Sequence, residues 1–166
     1  MIFTKSAINN PFDNLKWLWL NHWTVTRHKI LVSWYIARVC LALIRRAILH
    51  DLSAYSHAES VCFRDWTEAT QGLTYGTEEY RRAIKQFARD DQIHYSANRH
   101  HPEYWPAGIN DMSPIDLIEM LCDWKAKGKT RQGIGNIKSI SINSEKFNYD
   151  EQFKNGLIRD AREAFN

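Results

Sequence analysis

From Tyr80 onward, Tyr80, Ile84, Phe87, Asp91, His94, Asn98 and His101 recur every three or four positions, the repeat of one helix face. The first three are apolar and turn that face toward a core, and the same face then carries a carboxylate, two imidazoles and a carboxamide. Polar groups in such positions need partners. Hydrogen bonds satisfy them one at a time, whereas a bound metal ion satisfies several together. For a single residue of this kind the hydrogen-bonded reading is the better one, and for the set the balance reverses. The spacing predicts a helix from Thr77 to His101, ended by Pro102 because a helix interior does not accept proline.

The remaining signals are also helical. Asn10-Pro11-Phe12-Asp13 reads as a turn into a helix, with Asp13 or Asn14 as cap. Further segments are expected at about Thr24–Ala37, with His28 facing inward beside Leu31, Val32, Tyr35 and Ile36, and at about Val39–Leu49. Ser56-His57-Ala58-Glu59 has the form of a capping box opening a helix to about Thr70. Gln71–Gly76 reads as loop, and the stretch from Pro102 to Asp111 as ordered loop. Ser113-Pro114 starts an apolar helix through Ile115, Leu117, Ile118, Met120, Leu121, Cys122 and Trp124. Being apolar almost all round, that helix must be central, and Asp123 in its middle requires a cation. Lys125 to Gly135 reads as a basic loop, Ile137–Ile142 as a short strand or extended connection, and Asp150–Phe165 as a last amphipathic helix. Gly128-Lys129-Thr130 is not a phosphate-binding loop, because position 123 holds aspartate where that pattern needs glycine and no strand precedes it.

A chain of 166 residues, 44% hydrophobic, is expected to form one all-α domain over 1–166. Within it a functional core spans about 20–130, and a basic loop and C-terminal helix follow over 131–166. A net charge of +3 gives no strong nucleic-acid signal and does not repel anionic substrates. The apolar run Ile30–Ile44 is about 15 residues and contains Arg38, too short and too interrupted for a bilayer span of roughly 20, so it reads as buried helix with no membrane partner. Cys40, Cys62 and Cys122 form no CxxC pair and fit reduced, buried thiols in a cytoplasmic protein.

The inward polar groups collect as His28, His50 and Asp51, His94, Asn98 and His101, and Asp123, a ligand set suited to Mn, Fe, Co, Ni or Zn. Their order, a His, a His-Asp doublet and a distal Asp, resembles the HD-domain superfamily of all-helical, metal-dependent phosphohydrolases. The resemblance makes His28, His50, Asp51 and Asp123 metal ligands, with His94, His100 and His101 similar to the extra ligands of binuclear members. The run His100-His101-Pro102-Glu103-Tyr104-Trp105-Pro106 is also similar to the HD-GYP branch, without its Gly-Tyr-Pro triplet. More closely, His50-Asp51-Leu52-Ser53, the stretch from Asn98 to Trp105, and Cys122-Asp123-Trp124 resemble a family of short phage and bacterial proteins of uncharacterised function, over about residues 20–130. One departure stands out. A lysine that meets phosphate is common three residues after the doublet's Asp, and here that residue is Ala54.

The resemblance implies an HD-like helical bundle and a phosphomonoesterase or phosphodiesterase. It would use one or two divalent ions and activated water on a nucleotide or other small phosphorylated metabolite. In that reading Asp51, Asn98 and Arg99 take part in catalysis, and Arg99, Lys125, Lys127 and Lys129 hold phosphate. Two other classes stay open: a metal-containing module that binds a phosphorylated ligand without turnover, and a structural helical protein with hydrogen-bonded core histidines. Substrate, metal and oligomeric state, a homo-oligomer included, are left open by the sequence.

Overall fold

A computed structural model describes residues 11–130 and 136–165. The chain is all-α, with no strand among the described residues. Seven helices, α1 (Pro11–Leu49), α2 (His57–Thr70), α3 (Glu78–Lys85), α4 (Ala88–Ala97), α5 (Pro114–Thr130), α6 (Asn136–Phe147) and α7 (Glu151–Phe165), are joined in part by three-residue-repeat turns at Leu52–Tyr55, Pro102–Tyr104 and Gly108–Asp111. They fall into two compact units, Met1–Ile44 and Arg45–Asn166.

The helical segments expected before Leu49 are one helix of 39 residues. The reason is local: after Pro11, a residue suited to a first helical position, no proline or glycine interrupts the run. Among the described residues of the first unit this helix has no second element to pack on. Its apolar side chains, Trp17, Trp19, Trp23, Ile30, Trp34 and Tyr35 among them, are therefore exposed, where a buried helix was expected. Its ring contacts are with its own neighbours, Trp19 stacked on Trp23 at 6.2 Å and Arg38 over Trp34 at 4.9 Å. His28 is exposed too, contrary to its expected inward position. Among the described residues no helix is long and apolar enough to cross a membrane.

The second unit is built on α5. Met120, Leu121 and Trp124 of α5 join Ile140 of α6 and Leu157 and Ala161 of α7 in one core, closed by Ile109, Met112 and Tyr149. Ser113 caps α5 as its sequence suggests, its hydroxyl oxygen accepting from the Asp116 amide at 3.3 Å. The helix runs on to Thr130, so Lys125, Lys127 and Lys129 are helical and not in a loop; Arg131, Gly133 and Gly135 lie outside the described residues. Ile137–Ile142 is likewise helical. Ile140, Asn143 and Phe147 recur at helical spacing and pack inward, which outweighs the weak alternation of the isoleucines. Cys40 and Cys122 are exposed and Cys62 is half-buried, so the expected burial of the thiols does not hold.

The other half of this unit carries the polar stripe. Ser56 caps α2, accepting from the Glu59 amide at 3.3 Å, and Thr77 caps α3. The long helix expected from Thr77 to His101 is broken at Gln86-Phe87 and stops at Ala97. Asn98 and His101 take extended backbone, His101 because a residue before proline is pushed out of the helical region.

Candidate metal centre

Asp51 follows the end of α1 with a left-handed backbone, φ 50° and ψ 27°. That conformation costs a side-chain-bearing residue roughly 1–2 kcal/mol, aspartate and asparagine tolerating it best. It sets the doublet at the head of the Leu52–Tyr55 turn, which packs on α2 and α4. The α4 end is fastened there by Asn98, whose amide donates to Ser53 Oγ at 2.8 Å and to the His94 carbonyl at 2.9 Å. With the helix over at Ala97, the extended backbone brings His100 and His101 to the same place as His94. A continuous helix would have pointed them about 100° apart.

Two donor groups result, each with its ligand atoms within 4.8 Å of one another: Asp51, His94, His100 and His101, and His50, Asp51, His100 and Asp123. Asp51 divides its oxygens between them. Oδ1 lies 3.5 Å from His94 Nε2 and 3.4 Å from His100 Nε2, while Oδ2 lies 3.4 Å from His50 Nε2. His50 Nε2 is also 3.6 Å from Asp123 Oδ1, and the Nε2 atoms of His94 and His101 face each other at 3.0 Å. Four ligands at about 2.0–2.2 Å from a tetrahedral ion stand roughly 3.3–3.6 Å apart, so the four separations to the carboxylate oxygens fit an ion, while the His94–His101 pair is closer than that range. Two of the converging atoms, Asp51 Oδ1 and His100 Nε2, are buried with no hydrogen-bond partner, the condition a bound cation would relieve.

The protonation states divide in the same way. Burial holds His100 down to about 3 and lowers His101 further, so both imidazoles are neutral and able to ligate. Asp123, with Glu119 and the Asp51 charge, pushes His50 up to about 9 against the opposing effect of burial. Burial works against the Asp123 carboxylate as well, yet His50 and Lys127 hold it well below the usual range. At neutral pH His50 therefore carries a proton that an ion must displace. Zn2+ affinity is expected to rise about tenfold per pH unit from pH 6 to 8, with close to one proton released per ion at pH 7. Calorimetry in buffers of differing ionisation enthalpy measures that release; a pH-independent affinity would show that His50 does not ligate.

Of the expected ligands, His50, Asp51, His94, His100, His101 and Asp123 come together. His28 belongs to neither group. Asn98, expected to take part in catalysis, spends its amide hydrogens on Ser53 and the His94 carbonyl. Arg99 is held by Asp116 at 3.3 Å and stacked 4.5 Å from the Trp105 ring. Lys125 lies over Phe165, and Lys129 is exposed in the last turn. Lys125 stands about 200° round α5 from Asp123, whereas Lys127, one turn on, reaches Asp123 Oδ2 at 2.8 Å.

Four residues of the site were not read from the sequence. Glu59, 3% exposed, accepts from His94 Nδ1 at 2.8 Å. Glu119 lies 3.0 Å from His50 Nδ1 and accepts from Arg46 at 2.5 Å, and Arg46 also donates to Asp116 at 2.7 Å. Asp116, Glu119 and Asp123 recur three and four residues apart on α5, a signal of the kind that marks the 91–101 stripe. Glu59 had no separate signal, since the capping box accounted for it.

A family profile described as "Family of unknown function (DUF5662)" matches residues 19–166. The chain belongs to this family. The DUF5662 match takes in both donor groups and also α6 and α7, beyond the span in which the sequence motifs cluster. Comparison with curated proteins and with solved structures gives no match.

Proposed function

We propose that this DUF5662 protein is a metal-dependent phosphohydrolase of HD-domain type, a phosphomonoesterase or phosphodiesterase acting on a nucleotide or other small phosphorylated metabolite. The observation that carries the reading is the division of the Asp51 carboxylate between two imidazole-bearing donor groups. His94, His100 and His101 with Asp51 would hold one ion, and His50 and Asp123 with Asp51 a second. The His100 Nε2 atom can serve only one of them, which leaves the other with three protein ligands and an open position, the arrangement of catalytic sites. An ion there, Mn, Fe, Co, Ni or Zn, would supply Lewis acidity toward a phosphoryl oxygen and acidify water.

The chain's own residues then account for charge and position. Lys127 takes the part that Ala54 cannot, because its ammonium already rests on Asp123 beside the donor groups. His50, relieved of its proton, becomes a neutral ligand beside Asp51. The same Lys127–Asp123 pair and the missing lysine at position 54 favour a second reading, a metal-bearing module that binds a phosphorylated ligand without turnover.

Elemental analysis of untagged protein, followed by assays on p-nitrophenyl phosphate, bis(p-nitrophenyl) phosphate and nucleotides with each of Mn2+, Fe2+, Co2+, Ni2+ and Zn2+, decides between them. Hydrolysis that requires the ion is expected. Tight phosphate binding with no turnover under any ion would favour the binding module, and a protein that takes up no ion would sink both.

A further inference from the structure

We infer that Glu59 and Glu119 are positioning residues that fix which nitrogen each ligand histidine offers to the ion. The inference rests on the metal-centre reading above. His94 places Nδ1 at 2.8 Å from Glu59, and His50 places Nδ1 at 3.0 Å from Glu119. His100 turns its Nδ1 toward that same Glu119 oxygen at 3.5 Å. In all three rings the opposite nitrogen, Nε2, points to Asp51. A carboxylate beside Nδ1 keeps a proton there, so Nε2 is the nitrogen left to offer a lone pair to an ion, in His50 once its second proton has gone, and the ring cannot turn over without losing a charge-assisted hydrogen bond.

One contact competes. The Asn98 amide nitrogen lies 3.2 Å from His94 Nδ1, but its two hydrogens are directed to Ser53 Oγ and the His94 carbonyl, which leaves Nδ1 to Glu59. Glu119 is itself held in place, since Arg46 binds its other oxygen and is anchored in turn on Asp116. A single carboxylate thus sets a ligand of each donor group: His50 belongs to one and His100 to both. Neither glutamate is among the converging donor atoms, so both act through the rings they hold.

The test uses Co2+, whose visible absorption reports ligand geometry, with affinity measured by chelator competition in the full chain. Glu59→Ala is expected to weaken Co2+ binding about 10- to 100-fold and to alter the absorption bands. Glu59→Gln, whose amide oxygen still accepts from Nδ1, should recover most of the spectrum and part of the affinity. Glu119→Gln is expected to weaken binding about tenfold or more; it is preferred to alanine because Arg46 would otherwise lose a buried partner. Circular dichroism of the metal-free variants checks that the fold is kept. If Glu59→Ala does not fold, Glu59→Leu, which fills the space without an acceptor for Nδ1, decides, and an unchanged affinity and spectrum in it overturns the inference. Wild-type affinity and spectrum in a folded Glu59→Ala overturn it as well. A wild type that binds no Co2+ instead removes the metal-centre reading on which it rests.

Discussion

Asp51→Asn is expected to lower metal-dependent phosphate-ester hydrolysis at least about a hundredfold while leaving the helical content unchanged. The size follows from removing a major electrostatic contributor to a charged transition state. The fold is spared because asparagine tolerates the left-handed backbone that Asp51 adopts, so the turn after α1 keeps its course. What disappears is the anion that faces His94 and His100 with one oxygen and His50 with the other. Turnover of a phosphate ester under saturating ion is the measurement, with far-ultraviolet circular dichroism as the check on folding. His57→Ala is the control, since His57 is exposed at the start of α2, outside both donor groups, and should keep nearly full activity. Equal turnover in wild type and Asp51→Asn would leave catalysis standing and discard Asp51 as the shared ligand.

Removing the ion should lower the melting temperature by about 5–10 °C. An ion present at a hundred times its dissociation constant, and binding only the folded chain, stabilises by about 2.7 kcal/mol, and a domain of this size shifts roughly 2–4 °C per kcal/mol. The stabilised segments are those the donors come from: the end of α1, the Leu52–Tyr55 turn, the region from α4 to His101, and α5. Converging imidazoles and carboxylates that share no cation leave Asp51 Oδ1 and His100 Nε2 buried without partners, a penalty the ion removes. Thermal melts before and after exhaustive EDTA treatment, on protein first shown to contain metal, measure the shift. An unchanged melt would mean that the ion is adventitious.

Local chemistry wrote much of this architecture into the sequence. The caps at Ser56 and Ser113, the last amphipathic helix and the central place of α5 each depend on neighbours within a turn or two, so they are readable without a third dimension. The helical repeat also singled out His94 and His101, and the apolar run of α5 singled out Asp123, as inward polar groups in need of partners, and the His50-Asp51 doublet stood out by resemblance; these do converge.

Tertiary structure decided what the repeat could not. Periodicity names a face but not its neighbour, so it assigned His28 to an interior although the described residues of the unit it lies in form a single helix that leaves it exposed. Arg99 lies against a buried Asp116 and the Trp105 ring, partners its sequence neighbours do not name, and Lys127 is the α5 lysine that shares a face with Asp123 and reaches it. Glu59 looked complete as part of a cap. Its side chain instead meets His94 across 35 positions of sequence, because α2 packs on α4. Sequence determines which groups can ionise, ligate or cap; which ones share a point in space, and in which tautomer, is fixed only when the helices pack and each buried charge must find its partner.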